Sequence, residues 1–262
     1  MRIRFSAIQC KLGDLKSAER VVKRAVENGA EAVLLPEYFS YSDLARIAEK
    51  TDTTLRFLKS VSSEYGIIAC GNAVVKDRGY FNRAFLYDKG DLIGAQDKLH
   101  PTRSEREMGI KCGKEFKIFN VGFRVAILVC ADILYPELCR VAGLRGADVV
   151  MNPVVSFKKP ELPGTEYRYC LYFARAFDNC YAIVKAGGFG KTFTGSEAVG
   201  RSLIATFDGI LARSKNEEVE EDVTADVDLN RVEKCRKVNY SLHDRNTDVY
   251  KDLITPKHLN QP

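Results

Sequence analysis

Tryptophan is absent from this 262-residue chain, and histidine occurs only three times, at positions 100, 243 and 258. A cysteine nucleophile usually takes its proton acceptor from histidine. His243 and His258 fall in a polar C-terminal stretch, so His100 is the one plausible imidazole partner. The eight cysteines, at 10, 70, 112, 130, 139, 170, 180 and 235, include no Cys-x-x-Cys pair. That spacing leaves zinc-ribbon and thioredoxin-like readings without support. Several cysteines interrupt apolar runs, where a free thiol packs as a small hydrophobe, and reduced thiols are the expectation. No apolar stretch approaches the roughly 20 residues that span a bilayer. The first residues run directly into Ile3-Arg4-Phe5-Ser6-Ala7-Ile8-Gln9, an alternating pattern too short and too polar for a secretory leader. A cytoplasmic protein, with no membrane partner, is expected.

What is present describes a soluble globular chain. Hydrophobic residues make up 45% and charged residues 29%, as in ordinary globular domains. A single fold of this length buries roughly 75% of the surface its unfolded chain exposes, so it needs no covalent staples. The formal charge of +5 is a mild excess whose basic residues are dispersed, while the longest like-charge stretch is acidic, Glu217 to Asp222. A solvated surface accounts for both, and no nucleic-acid partner is expected.

Strand-like and helix-like segments alternate throughout. Leu15, Ala18, Val21, Val22, Ala25 and Val26 recur at helical spacing between Asp14 and Asn28, and Gly29 supplies a stop. Strands are expected at Ala32–Leu35, Ile67–Cys70, Phe81–Tyr87 and Leu92–Gln96, the last two joined by the hairpin signal Asp88-Lys89-Gly90-Asp91. Phe116–Asn120, Phe123–Cys130, Val149–Met151, Tyr181–Lys185, Leu203–Phe207 and Val223–Asp228 continue the pattern. Helices are expected from Pro136 to Arg145 and from Glu166 to Asn179. No linker composition divides the chain. The reading is one α/β domain over residues 1–262 with two similar halves and a trailing arm, the polar part of which covers about 238–262.

Three apolar runs each end on a reactive side chain: Glu37 after Leu34-Leu35-Pro36, Lys98 after the Leu92 run, and Cys130 after Val125–Val129. Taken singly, each also reads as a surface carboxylate, a solvated lysine and a core cysteine. Taken together at neighbouring strand ends, they supply a base, a cation and a nucleophile. Partial burial would raise the Glu37 pKa towards neutrality. A helix starting near Pro136 and a nearby ammonium would lower that of Cys130 and favour its thiolate.

The wording around these residues resembles the nitrilase superfamily of carbon–nitrogen hydrolases. Leu35-Pro36-Glu37, Lys98-Leu99-His100-Pro101-Thr102 and Cys130-Ala131-Asp132 match its Glu–Lys–Cys triad in chain order. Glu105 matches a second glutamate shortly after the lysine, and Asn152-Pro153, Ala174-Arg175-Ala176-Phe177-Asp178-Asn179 and Gly200-Arg201-Ser202 continue the likeness. Asp244-Arg245-Asn246-Thr247-Asp248-Val249-Tyr250 resembles the family's C-terminal arm, with Asn246 in place of a second arginine. Nitrile-cleaving members follow their cysteine with Trp-Glu; here Ala131-Asp132 is closer to the amide-cleaving branches.

The resemblance implies a four-layer α-β-β-α sandwich and a Cys130 thioester intermediate, with Glu37 as base. It implies that Lys98 and the Ala131 N–H stabilise the oxyanion, with Glu105 in support. The substrate would be a small amide or carbamoyl compound that yields ammonia or an amine. Tyr41 and Phe157 are expected to contact it, Phe157 standing where many relatives place an aromatic. No cofactor or metal is implied, and a homodimer or higher homo-oligomer is. Nitrile hydrolysis on the same triad and a non-catalytic binding or assembly role are the alternatives.

Overall fold

The computed structural model describes residues 1–41, 49–158 and 165–254. The first sheet holds β1 (Arg2–Gln9), β2 (Ala32–Leu34), β3 (Ile68–Lys76), β4 (Tyr80–Asp88), β5 (Asp91–Asp97) and β14 (Glu221–Asp228). Their order is β14-β1-β2-β3-β4-β5. The second sheet contains β6 (Ile118–Asn120), β7 (Arg124–Ile127), β8 (Val149–Phe157), β9 (Ala182–Gly188), β10 (Gly190–Lys191), β11 (Glu197–Val199), β12 (Leu203–Thr206) and β13 (Gly209–Arg213). Its main path runs β10-β11-β8-β9-β12-β13, with β7 beside β8 and β6 beside β7. Each sheet has a parallel centre, β1-β2-β3 in one and β7-β8-β9 in the other. Each then continues into two antiparallel strands, β4-β5 and β12-β13. The two similar halves expected from the sequence are therefore a similarity of topology.

Side-chain alternation sorts the strand residues into layers. Phe5, Ala7 and Leu34 from the first sheet meet Ile127, Met151 and Val184 from the second in a core between the sheets. The opposite face of the first sheet, through Ile8, Val33 and Ala69, packs on α1 (Leu15–Glu27) and α2 (Thr51–Tyr65). The opposite face of the second, through Val150 and Ile183, packs on α4 (Pro136–Leu144) and α5 (Thr165–Asn179). These three apolar layers make the α-β-β-α sandwich, as expected. Asp14 caps α1 by accepting from the Ser17 N–H at 3.1 Å, and Val21, Val22 and Ala25 form its buried stripe. The short α3 (Arg103–Glu107) lies between β5 and β6.

The arm departs from expectation at its start. Asp228 caps a helix, α6 (Leu229–Val238), that buries Leu229 and Val232. Cys235 of α6 is disulfide-bonded to Cys180 at the entrance to β9, across 55 residues of sequence. The expectation of uniformly reduced thiols is corrected for this pair, which no local spacing reveals; the other six cysteines are free. Arg236 adds an ion pair to Asp148 at 2.8 Å. Short helical turns follow to Ile254, and residues 255–262 of the expected arm lie outside the described residues. Among the described residues no helix is long and apolar enough to cross a membrane.

Candidate active site

Glu37 lies in the turn that follows β2, Lys98 directly follows β5, and Cys130 opens a 3-10 turn (Cys130–Leu134) three residues beyond the end of β7. Two of the three thus leave the carboxyl ends of parallel strands, the edge where α/β sheets build their sites. Glu37, Lys98 and Glu105 are each no more than 2% exposed, so their charges must be satisfied within the protein. The Lys98 ammonium donates to Glu37 Oε1 at 2.9 Å and to Glu105 Oε2 at 2.7 Å. One cation therefore faces two carboxylates.

Glu105 is the more firmly ionised of the two. Burial, the largest single influence, would raise its pKa, but the Lys98 charge together with hydrogen bonds from Lys98, Tyr38 and Thr102 outweighs it; the result is about 2. Glu37 moves the other way. Burial raises its pKa above 4.5 and the Glu105 charge adds to the rise, while Lys98 opposes it. Burial would likewise lower the Lys98 pKa, but the surrounding groups, led by the Glu37 charge, drive it upward and keep the ammonium charged. The environment thus separates a permanently ionised glutamate from one suited to exchange a proton.

Cys130 has φ +49°, a left-handed backbone conformation uncommon for a residue with a side chain. Its sulfur lies 3.7 Å from the Val155 carbonyl, while the Val155 N–H donates to Glu37 Oε2 at 3.2 Å. One peptide unit of β8 and its neighbour therefore hold the thiol and the Glu37 carboxylate side by side. Burial, followed by the Glu37 charge, pushes the Cys130 pKa upward. The expected lowering is overturned: desolvation at the strand end and carboxylate charge together outweigh the ammonium. The resting group is a neutral thiol, within hydrogen-bonding reach of Glu37. Ala131 is the second residue of the 3-10 turn, where an N–H has no acceptor within the helix.

Residues not singled out in the sequence complete the site. Asn82, on β4, donates to Glu37 Oε1 at 2.8 Å and to Glu105 Oε1 at 3.0 Å. Asn72, on β3, donates to Asn82 Oδ1 at 2.7 Å and accepts the Tyr38 N–H at 2.7 Å. The Tyr38 hydroxyl donates to Glu105 Oε1 at 2.6 Å. Thr102 and Glu105 form a capping box at the start of α3, placing the Glu105 carboxylate against Lys98. The Thr-x-x-Glu spacing was a readable sign of that turn. Asn72 and Asn82 carried none, being polar residues inside strands.

His100 does not provide a base for the thiol. Its Nδ1 lies 2.9 Å from buried Asp132, and its ring stacks on Tyr135 with centroids 3.7 Å apart. Asp132 also accepts the His100 N–H at 2.8 Å and the Val129 N–H at 3.2 Å. It thereby fastens the Lys98 segment to the Cys130 turn. Tyr41 and Phe157 both pack against an apolar cluster containing Tyr38 and Val155, beside the site. Among the described residues no group of three or more His, Cys, Asp or Glu side chains is arranged to hold a metal ion.

Residues 11–237 match the model of the carbon–nitrogen hydrolase family. The chain belongs to that family. Among sequence relatives of this carbon–nitrogen hydrolase, a protein named nitrilase from Pyrococcus abyssi is 28% identical over 249 residues, covering 90% of this chain and 88% of that one. The fold superposes on a carbon–nitrogen hydrolase from Helicobacter pylori with a TM-score of 0.88 at 19% identity, over 98% of this chain and 99% of that one. An amidase from Nesterenkonia sp. AN1 gives a TM-score of 0.80 at 22% identity, over 96% of each chain. In that amidase a glutamate-to-glutamine variant carries a covalent acetamide adduct on its active-site cysteine.

Proposed function

We propose that this carbon–nitrogen hydrolase is an amidase acting on a small amide or carbamoyl compound through a Cys130 thioester. The observation that carries the reading is the Glu37–Lys98–Glu105 charge cluster bridged to Cys130 through Val155. Cys130 Sγ attacks the amide carbon as its proton passes to Glu37, whose raised pKa suits it to receive one. Negative charge develops on the former carbonyl oxygen, where the Lys98 ammonium and the Ala131 N–H donate to it. One such donor is worth roughly 3 kcal/mol in the transition state. Glu37 returns its proton to the nitrogen, the C–N bond breaks, and ammonia or an amine leaves. Water then attacks the thioester as Glu37 takes its proton; the acid departs and the thiol is restored. Glu105 keeps Lys98 charged and in place, and Tyr41 and Phe157 contribute apolar contact to the substrate.

Nitrile hydrolysis is the second reading, motivated by the name of the Pyrococcus abyssi relative. Matched butyramide and butyronitrile separate the two. Ammonia release from butyramide at a kcat/KM at least tenfold above that from butyronitrile supports the amidase reading, and the reverse order contradicts it.

The reading extends to assembly and setting. A groove of about 700 Å³ separates α4 and α5 from the arm, bordered by Arg140, Arg175, Tyr240, Tyr250 and Leu253. Phe177, Tyr240, Leu253 and Ile254 are each more than half exposed. A second copy of the chain covering this face would form a homodimer of two-fold symmetry, the commonest closed arrangement. A cytoplasmic setting suits the six free thiols, Cys130 among them, while the Cys180–Cys235 bond is of a kind rare there.

A further inference from the structure

Two amides buried between the sheets fix how the base is held. On the face where β3 and β4 otherwise place Cys70, Ala84 and Leu86, the sequence puts Asn72 and Asn82, neither more than 1% exposed. A buried amide is tolerated only when its hydrogen bonds are made. Here they form one relay. The N–H of Tyr38, next to Glu37, donates to Asn72 Oδ1 at 2.7 Å. Asn72 Nδ2 donates to Asn82 Oδ1 at 2.7 Å. Asn82 Nδ2 then faces three acceptors: Glu37 Oε1 at 2.8 Å, Glu105 Oε1 at 3.0 Å and the Tyr38 hydroxyl oxygen at 3.0 Å.

The direction of the relay is set at its first link. A backbone N–H can only donate, so Asn72 turns its oxygen to Tyr38 and its NH₂ to Asn82. Asn82 must then accept with its oxygen, and it offers Glu37 only protons. Glu37 Oε1 therefore receives two donors, Asn82 and the Lys98 ammonium at 2.9 Å. Among the described residues Oε2 receives one, the Val155 N–H at 3.2 Å. The N–H and C=O of one strand residue point to the same side, and the Val155 carbonyl lies 3.7 Å from Cys130 Sγ. Oε2 is thus the oxygen on the thiol's side, and the one with room for a proton.

We propose that Asn82 is a positioning residue: by donating to Glu37 Oε1 it keeps that oxygen an acceptor and directs the proton of Cys130 to Oε2. The S–H bond breaks as Oε2–H forms and the sulfur pair bonds to the amide carbon; Oε2 later returns the proton to the leaving nitrogen. This rests on the amidase reading, but the ionisation of Glu37 tests it apart from turnover. The charged and titratable groups facing Glu37 are Lys98, Glu105, the Cys130 thiol and the Tyr38 hydroxyl, so the replacements for Asn82 add no charge. Infrared spectroscopy reads the protonated Glu37 carboxyl through the C=O band that is lost in Glu37→Gln. In Asn82→Leu the midpoint of that band should rise by about one pH unit, the worth of one hydrogen bond to a charged group. The acid limb of kcat/KM for butyramide should rise with it, and the plateau should fall at least about tenfold because Oε1 then competes for the proton. Asn72→Leu removes an amide of the same relay without touching Glu37; it should lower stability yet move the midpoint less than half as far. Asn82→Val replaces Asn82→Leu should the latter not fold. In the parent, NMR of labelled asparagine side chains should show the Asn82 amide protons shifting through the Glu37 midpoint, and no such shift in Glu37→Gln. A midpoint unmoved by replacing Asn82, equal shifts from Asn72→Leu and Asn82→Leu, or Asn82 signals indifferent to the Glu37 titration overturns the proposal. A midpoint raised as expected in a protein that releases no ammonia from butyramide supports the positioning role and contradicts only the amidase reading.

Discussion

Replacing Glu105 with glutamine changes no more than one heavy atom, yet it should damage both stability and catalysis. Oε1 of Glu105 accepts from Tyr38, Asn82 and Lys98, and Oε2 accepts from Lys98, Thr102 N and Thr102 Oγ1. A glutamine in either orientation turns an NH₂ donor towards one of these donor sets, leaving buried donors without acceptors. Removing one partner of a buried ion pair costs about 3–5 kcal/mol. Glu37 still pairs with Lys98 at 2.9 Å, so the low end of that range, about 3 kcal/mol, is expected. With Lys98 no longer fixed between two carboxylates, the oxyanion donor is misplaced, and acylation should slow about 100-fold. Guanidinium unfolding reads the first effect and single-turnover ammonia release the second. A variant within about 0.5 kcal/mol of the parent in stability and within about threefold in acylation rate would refute this view of Glu105.

The same carboxylate gives a pH signature. Its folded pKa of about 2 lies below its ordinary 4.5, so its contribution is fully present above pH 4.5 and is lost as pH falls towards 2. The stability advantage of the parent over Glu105→Gln should therefore shrink by roughly 3 kcal/mol across that window, measured by denaturant titration at each pH; an advantage constant with pH contradicts it. Glu37 has the opposite sign, its raised pKa making its ionised form unfavourable in the fold. Accordingly kcat/KM should fall with acid through an apparent pKa above 4.5, and an acid limb at or below 4.5 would contradict a buried base. For assembly, light scattering should give a dimer mass at micromolar concentration. A monomer would contradict the proposed interface, and a dimer that survives truncation after Lys237 would remove the arm's part in it.

Much of the fold was legible because its strands alternate cleanly and its helices carry regular apolar stripes. Leu34-Leu35-Pro36-Glu37 and Val125–Cys130 read as runs closing on a reactive group because strand ends are where burial stops and chemistry starts. The supporting network was not legible. Asn72 and Asn82 sit inside β3 and β4, where an isolated polar residue looks like an outward-facing strand position. Only the pairing Asn72 with Ala84, which places Asn82 two residues away on the neighbouring strand, brings the two amides together. The Cys130 pKa was misread for a related reason: charge sign was visible in sequence, but the depth of burial was not. Cys180 and Cys235 show the same limit, since a 55-residue separation gives no local sign that α6 returns to the entrance of β9.

The central claim is that Cys130 forms a thioester whose breakdown requires Glu37. Intact-mass analysis of Glu37→Gln and Cys130→Ala, each incubated with p-nitrophenyl butyrate, tests it most directly. Its leaving group needs no proton, so Glu37→Gln should gain one butyryl group as a hydroxylamine-sensitive thioester that maps to Cys130 and persists, while Cys130→Ala gains none. The parent enzyme should release ammonia from butyramide, and both variants should lose that turnover. An adduct on another cysteine in Glu37→Gln, or ammonia release sustained by Cys130→Ala, would contradict the account.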